Sequence, residues 1–201
     1  MGFWKIDYKK KLPLAIKLPY ILLFTVVMYV NVVYYGWENI LWFSHMALIL
    51  LFIGIVFDKH VFISMAGISV FVFHSLWTLM FLTQLLTGAR IGAVAYMFDG
   101  ATPLFLRSVS LFHVVTPPLI LYLLKKIGYD ERAYGLQKLW GGFVIILTAI
   151  IDPGKNINWV YGPGSPQNIL PEFIYIPLLI LALIHIVYLP THAFFRKHFT
   201  N

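Results

Sequence analysis

Seven histidines, eight acidic residues and no cysteine define the chemistry open to this 201-residue chain. Three of the histidines, His45, His74 and His113, fall in separate apolar stretches, with Ser44, Ser75 and Ser110 close by in sequence. A neutral imidazole is both a metal ligand and a general base, and a polar group retained inside an apolar run is costly enough to mark a candidate functional position. Arg107, Asp99 and Asp152 add charge nearby, and the segment Asn156-Ile157-Asn158-Trp159 adds two amides and an indole.

Three chemistries fit these residue types. The first is a metal centre of His45, His74 and His113 completed by Asp99 or Asp152. Imidazoles and a carboxylate suit zinc, whose bound water becomes a nucleophile near neutral pH. No local motif of the His-Glu-x-x-His kind accompanies these histidines, so the ligands would have to come from different helices. The second is metal-free: a Ser or Thr hydroxyl, or water, activated by a histidine, with Arg107 or the Asn pair facing the developing negative charge. The adjacent pairs Ser44-His45 and His74-Ser75 do not serve, because neighbouring helical residues point about 100° apart. The third is transport, with Asn31, His74, His113, Thr116 and His185 lining a polar path. A poorly polar inner half speaks against a continuous pore. Each residue also has a plain structural role open to it: a packed histidine, a hydroxyl bonded one turn back, or an Asx turn in the Asp152–Gly164 connection.

Whatever positions these groups must lie in a membrane. The chain is 60% hydrophobic and 11% charged, with a mean hydropathy of +0.82, whereas a soluble domain is about 45–50% apolar and about 25% charged. The expected fold is all-α and polytopic, one transmembrane domain over residues 1–201. Six spans are expected: Leu18–Gly36, Leu41–Phe57, Val61–Leu82, Pro103–Leu124, Leu136–Ile151 and Glu172–Leu189. The first is too long for the apolar core of a signal peptide and reads as a retained anchor. Thr83–Thr102, rich in glycine and charge, reads as an interfacial or re-entrant segment, and Pro117-Pro118 predicts a kink in the fourth span. Gly141-Gly142 would let another helix approach closely.

Charge orients the bundle. With six spans, 12 of the 15 Lys and Arg residues fall on the side of the two termini, and only Arg90 and Lys155 lie in the opposite connections. Arg107 lies within the fourth span. The positive-inside bias makes both termini cytoplasmic and turns the Glu38, Thr83–Thr102 and Asp152–Pro171 connections outward. The net charge of +7 is thus an orientation signal and excludes nucleic acid as the expected partner. Membrane lipids are the expected partners. Absence of cysteine excludes disulfides, thiolate nucleophiles and Cys-ligated metals. A helical rise of about 1.5 Å per residue puts His45, His74, Arg107 and His113 at overlapping outer-to-middle depths.

The chain resembles a group of uncharacterised bacterial six-helix membrane-associated proteins. The resemblance rests on Trp42-Phe43-Ser44, Leu86-Thr87-Gly88, Tyr96-Met97-Phe98-Asp99, Pro103-Leu104-Phe105-Leu106-Arg107, Ser110-Leu111-Phe112-His113, the Asp152–Gly164 segment and Tyr188-Leu189-Pro190-Thr191-His192. In that group an Asp often follows the serine where His45 stands here, so His45 departs from the pattern. The resemblance implies a bacterial inner-membrane location and brings no activity with it. The reading that follows is a membrane-embedded hydrolase or transferase for a lipid or lipid-linked substrate at the outer leaflet. His113 is its base or metal ligand, with His74 in support and Asp152 orienting water. Arg107, Asp99, Asn156, Asn158 and Trp159 bind substrate. A small-solute transporter or channel and a noncatalytic assembly partner are the alternatives.

Overall fold

In a bilayer each backbone N–H and C=O must find its partner within the segment itself, and apolar runs therefore become helices. The computed structural model, which describes residues 11–151 and 154–200, is all-α. Helix α1 (Leu14–Val30) widens into a π turn at Asn31–Tyr35, and a 3-10 turn, Trp37–Leu41, leads into α2 (Phe43–Val56). Helix α3 (His60–Thr87) is followed by a 3-10 segment, Gly92–Phe98, then α4 (Leu104–Val109), α5 (Phe112–Ile127) and α6 (Arg132–Ile151). The last rod is α7 (Glu172–Ala182), a π segment (Leu183–Tyr188) and α8 (Leu189–Phe199) in continuous succession.

Five stretches are long and apolar enough to cross a membrane: Leu14–Tyr35, His60–Thr87, Leu104–Ile127, Arg132–Ile151 and Glu172–Phe199. The remaining expected span, Leu41–Phe57, is only the 14-residue α2, short of the about 20 apolar residues a crossing needs. The third and last spans run longer than expected, to Thr87 and Phe199, and the fifth starts at Arg132 rather than Leu136. The helix is interrupted at Ser110–Leu111, between α4 and α5, and Pro117 and Pro118 both lie inside α5. Proline lacks the N–H that would bond the carbonyl four residues back. For Pro117 that carbonyl is His113 O, and the Thr78 hydroxyl of α3 reaches it at 3.2 Å while bonding His74 O at 2.7 Å.

Helix α3 is central, packing against α2, α5, α6 and α8. Every residue from Ile63 to Val70 is buried, whereas its far half exposes Phe73, Leu76 and Leu79. Polar contacts define two ends. At the first, Asp58 accepts the Leu12 N–H at 2.8 Å and pairs with Lys17 at 2.6 Å, the Asp130 N–H donates to Ser64 Oγ, and the Tyr129 N–H donates to Phe199 O. Burial raises the Asp58 carboxyl, but the Leu12 N–H and the Lys17 ammonium outweigh it and hold the group below its ordinary range. This end carries the basic residues on either side of the connections; the other end carries the long connections.

Two glycines let the last rod pack closely on α3 and α6. A Cβ on Gly67 would lie 2.9 Å from the Phe195 ring and 3.1 Å from Ile120, so its absence seats α5 and α8 together on α3. A Cβ on Gly141 would lie 2.5 Å from the Tyr188 hydroxyl, closer than to any carbon of that ring. Gly141-Gly142 thus does admit the last rod, through Gly141. Overpacking of this kind costs about 1–3 kcal/mol. Gly141→Ala is therefore expected to lower the unfolding temperature in detergent, and Tyr188→Phe in the same chain to recover part of the loss, because the hydroxyl is the atom displaced.

Candidate functional site

The three histidines come from α2, α3 and α5 and gather around Phe112. The His74 and His113 ring centroids are 4.5 Å apart, while His45 and His74 each lie 5.7 Å from Phe112. Trp77, one turn along α3 from His74, stacks on His113 at 4.6 Å, and Phe112 stacks on it at 4.1 Å. The helix break at Ser110–Leu111 makes this possible, since it starts a new helix whose first turn carries Phe112 and His113 into contact with α3.

Hydrogen bonds assign the tautomers. His113 Nδ1 lies 2.8 Å from Ser110 O, and His45 Nδ1 lies 2.8 Å from Asn39 O. A carbonyl only accepts, so Nδ1 carries the proton in both neutral rings and Nε2 presents its lone pair. His74 differs: it is 2% exposed, and neither ring nitrogen has a hydrogen-bond partner. A buried polar atom left unpaired in a low-dielectric setting is costly, by about 1–3 kcal/mol. His74 and His113 are therefore the chemically open part of the cluster.

Above them lies the Gly92–Phe98 segment. Its Val94 and Met97 pack on Trp77, with Phe81 and Val114 beside them. The Ile91 N–H at its start donates to the buried Gln84 of α3. Arg107 donates through one terminal nitrogen to Met97 O at 2.8 Å, and its Nε is buried without a partner. The Tyr96 hydroxyl faces the Ser110 hydroxyl and the Trp77 indole; burial raises the Tyr96 hydroxyl above its ordinary range, and those two contacts partly offset the rise. Tyr96 and Trp77 thus join the cluster, although their sequence context reads only as a loop aromatic and a membrane aromatic.

The other expected site residues serve their own loops. Asp99 is exposed and accepts the Ala101 N–H, an Asx turn. Asn156, in left-handed backbone at φ 50°, accepts the Tyr161 N–H and donates to Gly162 O. Asn158, also left-handed at φ 54°, accepts the Phe43 N–H at 2.9 Å and donates to Leu41 O at 2.8 Å, fixing the start of α2 from a loop 115 residues away. Trp159 is half exposed, and its carbonyl accepts the Tyr175 hydroxyl. Lys155 pairs with Glu38 across the same end and holds that carboxyl below the usual carboxylate range. Asp152 lies outside the described residues. His45 is also tied into the connection before α2: Asn39, whose carbonyl it bonds, donates its amide to Asn31 Oδ1 and accepts from the Trp42 indole. His185 is exposed and bonded to Leu181 O, and His192 meets the Tyr129 hydroxyl at 2.6 Å at the basic end, so neither joins the cluster.

Among the described residues no three His, Asp or Glu side chains converge as a ligand set, and His45 contacts Phe112 at 5.7 Å. Neither Asp99 nor any other described carboxylate joins the His74 and His113 pair. Comparison of the chain with protein-family models, with curated proteins and with solved structures finds no match.

Asn158 makes the sharpest structural test in this region. Removing a side chain that satisfies two buried backbone groups costs about 1–3 kcal/mol for each left unpaired. Asn158→Ala is expected to destabilise the protein to that extent in chemical or thermal unfolding and to increase hydrogen exchange at the Phe43 amide, while leaving the His113 and Ser110 bond intact.

Proposed function

We propose that this protein is a membrane-embedded hydrolase or transferase acting on a lipid or lipid-linked substrate from the outer leaflet, with the His74 and His113 pair as its reactive centre. The observation that carries this is His74: buried, with a free donor and a free acceptor, beside an imidazole whose Nε2 keeps its lone pair because Nδ1 donates to Ser110 O. In this reading His113 Nε2 removes a proton from water or a substrate hydroxyl. The Ser110 carbonyl steadies the imidazolium that results, and His74 hydrogen-bonds the reacting group. Arg107, with its unpartnered Nε, faces an anionic headgroup oxygen. The Gly92–Phe98 segment lies at the interface as a roof, and Asp152 keeps its expected role of orienting water.

The same proposal takes α2, together with the turn before it, as a sixth crossing of a bacterial inner membrane. Both termini are then cytoplasmic. Support comes from the contacts that gather the residue 12, 58, 64, 130 and 199 regions at the basic end, and from the positive-inside bias. A noncatalytic assembly partner is the second reading, favoured by one observation: Asp99, Asn156 and Asn158 are all used in shaping their own connections.

Two measurements test these proposals. Because the chain contains no cysteine, single substitutions report topology directly. Gly100→Cys is expected to react with a membrane-impermeant maleimide in intact spheroplasts and Lys59→Cys only after lysis; the reverse pattern overturns the orientation. For the chemistry, purified protein in nanodiscs is presented with phospholipids and polyprenyl-linked substrates, and headgroup release or transfer is followed by mass spectrometry. His113→Ala is expected to reduce turnover by about 10²–10⁴-fold, the range of a lost general base, and His74→Ala to reduce it as well. Full activity in both folded variants overturns the imidazole centre. No turnover by the wild type on any of these lipids favours the assembly partner.

A further inference from the structure

A second group of buried polar side chains lies where α3, α6 and the last rod meet, on the basic-end side of the imidazoles. Gln137 of α6 is wholly buried, and neither its amide nitrogen nor its carbonyl oxygen has a hydrogen-bond partner. Tyr188, the final residue of the π segment, is 1% exposed, and its hydroxyl also lacks a partner. That hydroxyl faces Gln137 and the buried Ser69 of α3. Gly141, one turn along α6 from Gln137, lets the Tyr188 oxygen lie against the α6 backbone, where any side-chain carbon would meet it. Trp140, on the flank of the same α6 face, adds a buried indole N–H without a partner.

The identity of the unmatched atoms selects the ligand. Gln137 presents two donors on nitrogen and an acceptor on oxygen, and the Tyr188 hydroxyl presents both functions on one atom. A cation would satisfy the oxygens and repel the amide and indole N–H groups. An anion would satisfy the donors and repel the Gln137 carbonyl. A small neutral molecule that donates and accepts matches all of them, and water is such a molecule; buried waters typically make about three hydrogen bonds to otherwise unmatched groups. We infer that Ser69, Gln137 and Tyr188 form an internal water site in the half of the bundle nearest the basic end. The site is built from three helices and gives that half a polar centre separate from the imidazole pair. It does not rest on the enzymatic reading above.

X-ray radiolytic footprinting of the full chain in nanodiscs, with a brief pulse of ¹⁸O-labelled water and peptide mass spectrometry, tests it. Hydroxyl radicals form where water resides, so Tyr188 is expected to be oxidised despite its burial, at a rate of the same order as the exposed Tyr96. Gln137→Leu is expected to abolish oxidation of Tyr188 and leave that of Tyr96 unchanged. Ser69→Ala, which removes one hydroxyl without adding bulk, is expected to lower it too, and serves if Gln137→Leu fails to fold. A wild-type Tyr188 that stays unmodified while Tyr96 reacts overturns the site, as does an oxidation rate at Tyr188 that is the same in wild type and in the folded variants.

Discussion

The rest of this structure depends on one requirement: in an apolar medium every backbone amide and carbonyl must be bonded within the protein. Straight helix meets it automatically, and the informative places are those where the helix stops being straight. Buried Thr116, Thr148 and Thr191 each return their hydroxyl to the carbonyl four residues back and so make no demand on their neighbours. Thr78 does this and also reaches His113 O, the carbonyl that Pro117 deprives of its usual donor. The start of α2 has no such internal remedy, and Asn158 supplies both a donor and an acceptor from outside.

The same requirement separates the polar residues that build the molecule from those with capacity to spare. Asp99, Asn156, Asn158 and His45 hold turns and helix starts and gain their partners from the main chain. His74, Gln137 and Tyr188 are deeply enclosed, yet their polar atoms meet no partner within bonding distance. These unmatched groups are what the two proposed sites rest on.

The sequence makes the broad architecture legible because hydropathy integrates over whole helices. Runs such as Leu14–Tyr35 and Arg132–Ile151 declare themselves by composition. Finer features depend on single contacts and are not additive in this way. The break at Ser110–Leu111, after which His113 packs on His74 and Trp77, carries no proline or glycine to announce it. The meeting of His74 with His113 is partly legible, since similar depth can be counted along the helices. That Asn158 faces Leu41 and Phe43 depends on a loop with three non-glycine residues at positive φ, Asn156, Asn158 and Trp159, for which asparagine is a permissive type but not a directional signal. Tyr96 and Gln137 are missed for a similar reason: an aromatic near a membrane surface and a glutamine five residues into a helix are commonplace until their neighbours are known.

The dependence of α2 on Asn158 bears on how the chain is made. A ribosome feeding this protein into a membrane delivers the second helix long before the residue that completes its first turn, and the two are separated by three of the five long apolar stretches. Until the final third has emerged, the amide of Phe43 and the carbonyl of Leu41 must rely on lipid headgroups or the insertion machinery. A helix placed early is thus completed late: truncation before residue 158 leaves a nascent product in which the Phe43 amide and the Leu41 carbonyl lack the partner that Asn158 supplies.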